Sequence, residues 1–476
     1  MTSQLVRLAP LVLLVAVIAL VVARLPKVEL GHSAAFKRRR LLNWFPLGLT
    51  YAFLYFGRYN VNEATSVIPG LTNADFGAIF GAGTATYGLS FLVNGPLTDR
   101  WGGRFTILLS AAGAAACNLA MGLLVWAAVT RGFVPPGGMV VSIAVLYSAD
   151  MYFQSFGAVS IVKVNAHWFH VRERGVLSGL FGILISLGLY FAYDWSAWIV
   201  RVLPVWWAFF LPAAALAVFW VIELATVRDS PSGAGFADFD TGDASSGDTG
   251  PALGVLQVFK KMLTSRAILF LLGIEFCSGF MSNAIMQWGR KFGRQTELHS
   301  FVFDHWGLVM CVAGILGGMF AGVISDKVFG SRRGPVSAVL YGGMLVGAVA
   351  ATWLLDAGAI IGWTVAFMSL CVIGVHGMLS GTATMDFGGK KNAGIAVAIV
   401  DGAVYLGVAT QSFLLGALLP SGEAAKVVAN WKLWPLALIP LSAVGFLLAT
   451  RVWNATPEGT SAAKGSASDR VEIAGG

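Results

Sequence analysis

Charge is what this chain has least of. Asp, Glu, Lys and Arg together make up 12% of its 476 residues, against about 25% in an ordinary soluble domain. A soluble chain of this length would build about three domains, and 32 bases with 24 acids are too few to solvate their surfaces. That excludes a cytosolic enzyme. Cysteine is scarce as well: Cys117, Cys277, Cys311 and Cys371 all lie inside apolar runs and show no metal-ligand spacing, which argues against a disulfide or zinc framework. The six histidines do not cluster with acids at ligand spacing, Asp304-His305 being the nearest approach. No Walker-type phosphate loop and no serine nucleophile elbow occurs. Direct ATP-driven pumping and covalent hydrolysis are therefore unsupported, and no catalytic residue, metal or cofactor is expected.

What is present is hydrophobic surface. Apolar residues make up 57% of the chain and the mean hydropathy is +0.75. A bilayer core about 30 Å thick takes roughly 20 apolar residues per helix. By that measure spans fall at 42–66, 74–98, 104–130, 137–167, 174–194 and 197–227, and again at 264–289, 301–325, 334–355, 358–385, 392–419 and 432–452. The expected fold class is an all-α polytopic membrane protein of two six-helix bundles, 41–228 and 263–453. Between them, 229–262 opens on a Gly-, Ser- and Asp-rich stretch that reads as a flexible cytoplasmic linker. Residues 454–476 read as a disordered cytoplasmic tail.

The net charge of +8 does not mark a nucleic-acid binder in so apolar a chain; basic residues gather in cytoplasmic loops of membrane proteins. They do so at Lys37-Arg38-Arg39-Arg40, Arg100 with Arg104, Arg172 with Arg174, Lys260-Lys261, Lys327 with Arg332-Arg333, and Lys390-Lys391. Those loops are placed in the cytoplasm. Arg290, Lys291 and Arg294 break the pattern, lying on the expected outer side. Residues 1–40 hold an apolar run, Leu8–Ala23, before the KRRR cluster. Signal-peptide cleavage would leave that cluster outside, so an uncleaved extra N-terminal helix is preferred, with a surface-lying helix as the alternative.

The loop after the second span, Gly95-Pro-Leu-Thr-Asp99-Arg100-Trp-Gly-Gly-Arg104, recurs in the second half as Gly322-Val-Ile-Ser-Asp326-Lys327-Val-Phe-Gly-Ser-Arg332-Arg333. A tight turn with an acid at one helix end and a base at the next can lock two helix ends together and release them. Its repetition half a chain apart implies two homologous halves. The gate residues read from it are Asp99, Arg100, Arg104, Arg174, Asp326, Lys327, Arg332 and Arg333.

This repeat resembles the loop signature of the major facilitator superfamily. Further stretches resemble its organophosphate:phosphate antiporter family: Tyr55-Phe-Gly-Arg58-Tyr-Asn60, Tyr87-Gly-Leu-Ser, Phe153-Gln154-x-x-Gly157, His167-Trp168-Phe169 with Glu173-Arg174-Gly175, Ser325-Asp326-Lys327, and Lys390-Lys391-x-Ala-Gly394. The resemblance covers roughly 42–452. It implies the major facilitator fold, alternating access, and a multi-pass protein of the inner (plasma) membrane of a prokaryote. It also implies transport of a small anionic solute, organophosphate or carboxylate-like, coupled to phosphate exchange or to protons. A transporter-like receptor sensing an organophosphate is the alternative. A monomer is expected, its partners being a small solute and the lipid bilayer, with no nucleic acid.

Ionisable residues within spans are costly and therefore functional candidates. Arg58 falls on the position that carries a phosphate-binding arginine in the family, and a buried guanidinium can grip an oxyanion through two parallel hydrogen bonds. Its alternative is an internal ion pair with Glu63 or Asp150. Asn60, Asn62, Tyr87, Gln154, Lys163, Ser282 and Asn283 complete the expected substrate-binding set. The chain departs from the family at Ser282-Asn283, where a second arginine would sit, at Phe91 in place of a lysine, and near Gly182 and Ile185 in place of an amide and a histidine. In exchange it places acids in spans: Asp401 above all, with Glu275 and Asp150, as coupling candidates.

Overall fold

The structure is a computed structural model describing residues 19, 31–241, 255–264, 266–329 and 333–453; side chains at 171–172, 174–181, 322–323, 326, 378–397 and several between 255 and 267 are left aside. Of the expected helix at Leu8–Ala23 only residue 19 is described, and the tail 454–476 lies outside the described residues.

The described chain is helical throughout. Helix α1 (Ala34–Thr65) begins where Ser33 caps it, the Ser33 Oγ accepting from the Phe36 amide at 3.2 Å. The basic cluster Lys37–Arg40 thus forms the first turns of the first core helix. Helix α2 (Asn73–Trp101) starts on a capping box: Thr72 Oγ1 accepts from the Asp75 amide, and Asp75 accepts from the Thr72 amide at 2.8 Å. Two amides left without partners at the helix start are satisfied reciprocally. Gly102, at φ +87°, separates α2 from α3 (Gly103–Arg131) in a backbone conformation that a side chain would strain.

Helix α4 (Gly138–Trp168) follows. Next comes Val171–Tyr190, extended by a π-helical turn (Phe191–Trp195) into Ser196–Val202; these are α5 together. The break before α6 (Trp207–Thr226) therefore falls at 203–206, and not at 195–196 as the hydropathy suggested. Pro204 is the reason, because proline disfavours helix in the residue before it.

The expected linker is not uniformly flexible. Phe236 and Phe239 pack their rings on Phe36, at 5.8 and 5.6 Å, and hold 229–241 against the first half. Val255–Thr264 forms helix α7. Two aromatic side chains within a Gly/Ser-rich stretch suffice to dock it.

The second half runs through α8 (Arg266–Asn283, continued by a π turn at Ala284–Trp288 and by Gly289–Gln295), α9 (Trp306–Val328), α10 (Arg333–Trp353), α11 (Ala359–Leu418) and α12 (Leu433–Arg451). The helical stretch α11 is 60 residues long and covers two expected spans. A straight helix of that length would be about 90 Å long. Yet Gly362 near one end packs on Val302 and Gly416 near the other packs on Asn73 and Gly77, at the same end of the bundle. The run therefore doubles back, and its membrane-crossing parts are Ala359–Gly377 and Ala398–Leu418.

Among the described residues ten helical segments are long and apolar enough to cross a membrane. Helix α1 is not in that set; it carries Lys37–Arg40 at its start and the buried Arg58, Asn60, Asn62 and Glu63 at its far end. The halves meet where small residues allow backbones to touch: Gly77 against Ser412 and Gly416, and Gly88 against Gly402 and Tyr405. Close approach of this kind drives helix association in lipid, where hydrophobicity gives no preference for protein over acyl chains.

Candidate functional site

Arg58 is fully buried. Its Nε donates to Gln154 Oε1 at 3.0 Å, and its Nη1 donates to the Tyr405 hydroxyl at 2.7 Å. The rings of Tyr87, Tyr55 and Tyr405 surround the guanidinium at 4.4, 4.6 and 5.8 Å, each contributing about 0.5–2 kcal/mol of cation–π attraction. Tyr147 donates to the Arg58 carbonyl at 3.0 Å, fixing the backbone. The remaining nitrogen, Nη2, is buried with no hydrogen-bond partner.

The alternative for Arg58, an ion pair with Glu63 or Asp150, is not formed directly: Glu63 pairs with Arg290 and Arg294, and Asp150 is linked through an amide. Gln154 Nε2 donates to Asp150 Oδ2 at 2.7 Å, and Asn118 donates to Asp150 Oδ1 at 3.3 Å. Asp150 thus reaches Arg58 only through the amide of Gln154. The guanidinium keeps its charge, is oriented by neutral partners, and retains one donor edge.

Not every expected residue converges there. Asn60 donates to Asn118 Oδ1 and to the Ala208 carbonyl, both at 2.9 Å, tying α1 to α3 and α6. Asn62 shares the Arg58 face but crosses to the second half, donating to Gln287 Oε1 at 2.5 Å. Lys163 sits on Asp99 at 2.7 Å, partly exposed, near the basic loops. Asn283 Nδ2 donates to the Ser282 hydroxyl at 3.3 Å, and the Asn283 side-chain Oδ1 is buried without a partner.

Glu275 and Asp401 form a separate acidic group. Glu275 faces His376 at 3.4 Å and leaves Oε1 without a partner; the Asp401 Oδ1 is also buried and unpartnered. Asp401 stands one helical turn from Tyr405 in α11, so this group adjoins the Arg58 cage.

The loop gate is arranged differently from the expectation. Asp99 bonds to Lys163, while the Arg104 amide donates to Asp229 at 2.8 Å and its guanidinium to the Leu224 carbonyl at 2.8 Å. Asp99 and Arg104 are therefore not each other's partners. Glu173 takes Arg40 at 2.9 Å. Arg100 and Lys327 are exposed. Arg333 belongs to the first turn of α10. The side chains of Arg174 and Asp326, and all of Arg332, lie outside the described residues.

The structure adds a second assembly at the end opposite the basic loops. Glu63 of α1, fully buried, is bridged by Arg290 and Arg294 of the second half, each at 2.5 Å. Lys291 donates to Ser66 at 3.1 Å and lies 4.2 Å from the centre of the Phe76 ring. Asn73 exchanges hydrogen bonds with Gln295 at 2.9 and 3.0 Å and donates to the Pro420 carbonyl at 2.6 Å. Asp194, in the π turn of α5, accepts from the Gly307 and Leu308 amides at 2.7 and 3.0 Å, capping α9 of the other half. All of these cross from one half to the other and clasp this end shut. The basic triplet out of place in the loop pattern was the visible sign; three cations far from their expected side called for a buried acid. Tyr405 and Gln287 carried no sign, because an aromatic or an amide in an apolar helix is ordinary.

Two bundles of membrane helices, closed at one end by the Glu63 cluster and holding a buried, partly unpartnered arginine between them, have the architecture of a membrane transport protein. The chain belongs to the Major Facilitator Superfamily, which it matches over residues 47–412. It is 24% identical over 400 residues to a glycerol-3-phosphate transporter of Bacillus subtilis (strain 168), covering 79% of this chain and 85% of that one. It is 25% identical over 426 residues to the membrane sensor protein UhpC of Escherichia coli (strain K12), covering 85% and 89%. Among solved structures it superposes on a bacterial homologue of the human lysosomal transporter Spinster, in an inward-facing and unoccupied conformation, with a TM-score of 0.67, 13% identity, and coverage of 89% and 98%. The protein is accordingly a multi-pass integral membrane protein with the major facilitator fold.

Proposed function

We propose that the protein is a secondary transporter for a small anionic solute, an organophosphate or a carboxylate, and that Arg58 anchors the anionic group. The observation that carries this is the buried guanidinium with Nη2 unpartnered while its other bonds go to the neutral groups of Gln154 and Tyr405. A desolvated cation with an open donor binds an oxyanion strongly, since charge-assisted hydrogen bonds contribute about 1.5–3 kcal/mol each. Likeness to a glycerol-3-phosphate transporter supports the organophosphate class.

The two halves rock about this site. The Glu63 clasp closes the outer face and opens when the basic end closes. Asp401 and Glu275, with buried unpartnered oxygens, are the groups placed to carry a coupling proton; exchange against phosphate is the other coupling the reading allows.

Likeness to UhpC favours a second reading, a sensor that binds the same class of ligand without moving it. Proteoliposomes preloaded with glycerol 3-phosphate and assayed for counterflow separate the two. Transport by the wild type that Arg58→Ala abolishes supports the transporter; binding without counterflow supports the sensor. Full anion transport by Arg58→Ala rejects the anchoring role.

A further inference from the structure

We propose that the groove between the start of α1 and the end of α6 binds the phosphate of an anionic membrane lipid. The groove has a volume of about 370 Å³ and is lined by Arg39, Leu42, Thr226, Arg228 and Ala234 among others. It lies apart from the Arg58 cage, at the end of the bundle that carries the basic loops.

Two arginines face this groove, and among the described residues neither is paired with a carboxylate. Arg39 donates Nη2 to the Thr226 carbonyl at 2.6 Å, which aims the guanidinium into the groove, while its Nη1 is buried with no partner. Arg228 donates Nη1 to the adjacent Val227 carbonyl at 2.7 Å, and its own amide is held by Asn43 Oδ1 at 2.7 Å. Trp168 fixes the same segment by donating to the Arg228 carbonyl at 3.0 Å, and its ring lies 5.5 Å from the Arg39 guanidinium carbon. Burial, and then the neighbouring Arg228 charge, lower the Arg39 pKa. Two partly desolvated like charges fixed by neutral groups constitute a site short of an anion.

The groove's surroundings identify the anion's carrier. Leu41, Leu42 and Phe45 on α1 are 45–48% exposed, and Val221 and Leu224 on α6 are 60% and 43% exposed. These are bilayer-facing surfaces, so a headgroup phosphate between Arg39 and Arg228 would leave its acyl chains along them. Basic pockets between helices at the cytoplasmic side take anionic headgroups for this reason. A free phosphate would use the arginines but not the apolar walls. A zwitterionic lipid would bring an ammonium group toward two arginines with no acid among the lining residues to receive it.

The test uses the full-length purified protein, with bound lipid counted by native mass spectrometry and thermal unfolding followed in parallel. Phosphatidylglycerol should form a retained adduct and raise the unfolding temperature, and phosphatidylcholine should do neither. Arg39→Gln combined with Arg228→Gln should weaken phosphatidylglycerol retention about tenfold or more, while Arg38→Gln, at an exposed position, should leave it unchanged. If Arg39→Gln fails to fold for lack of the Thr226 contact, Arg228→Gln alone gives the readout, and Arg39→Lys should preserve binding. Equal retention of the two lipids, unchanged retention in the arginine variants, or competition by inorganic phosphate at equal phosphate concentration would each overturn the proposal.

Discussion

The Glu63 clasp gives the sharpest prediction about conformation. Glu63→Gln keeps the shape of the side chain but removes its charge, leaving Arg290, 8% exposed in its side chain, facing an amide. Breaking a buried ion pair by neutralising one partner costs about 3–5 kcal/mol. Arg294 is 28% exposed in its side chain and recovers part of its share from water, so the lower end, about 3 kcal/mol, is the better figure. The clasp spans both halves and is lost when they separate at this end, so the whole cost falls on the closed state. At about 1.4 kcal/mol per factor of ten, the ratio of closed to open states should drop by roughly a hundredfold. Spin labels at Ala74 and Glu423, exposed positions flanking the Asn73–Ser421 hydrogen bond of 3.0 Å, report the separation of the halves. The wild type should give a short distance, and Glu63→Gln a population at longer distance. An unchanged distribution, with the variant folded, would refute the clasp as a conformational lock.

Three further outcomes follow from the packing. Gly77→Ala drives a methyl group into the backbone of Ser412 and Gly416; it should cost about 1–3 kcal/mol, read as a lower unfolding temperature in detergent, whereas Gly318→Ala, where nothing lies within 4 Å of the added carbon, should leave it unaltered. Asp194→Asn retains one acceptor for two amides and loses the charge at the start of α9, so it should weaken the same closed end by about 1–2 kcal/mol, seen as a smaller shift than Glu63→Gln in the same distance measurement. His32 stacks on Phe36 at 4.5 Å and approaches Phe239 at 4.8 Å; burial, and then Arg40, hold its pKa below the ordinary histidine value. The unfolded segment therefore binds the proton more readily, and the docking of 229–241 should be intact above the ordinary histidine pKa and loosen as pH falls below it through the lowered value of the docked state. Hydrogen exchange of that segment checks this, and His32→Ala should remove the pH dependence.

How far the sequence led can be judged residue by residue. Hydropathy runs placed most spans to within a few residues, because a helix in lipid must satisfy its own backbone and cannot carry many charges. It misplaced the break before α6, where Pro204 outweighed the apolar run, and it read 229–241 as free when Phe236 and Phe239 dock it. Arg58 was visible as a charge in an apolar segment, and Gln154 lay in a motif already noted. The loop repeat revealed two halves but not the partners its residues take: Asp99 lies on Lys163, and Arg104 on Asp229 and Leu224.

Composition and spacing along one helix were enough to reveal the membrane setting and the charged residue within a span. The packing of helices across the bundle sets the rest: Tyr405, Tyr55 and Tyr87 cage Arg58, Asp150 reaches it through an amide, and Glu63 crosses to Arg290 and Arg294. Those pairings join residues up to 347 positions apart. Which side chains meet across two bundles depends on how backbones slide together at Gly77 and Gly416, and no local pattern encodes that register.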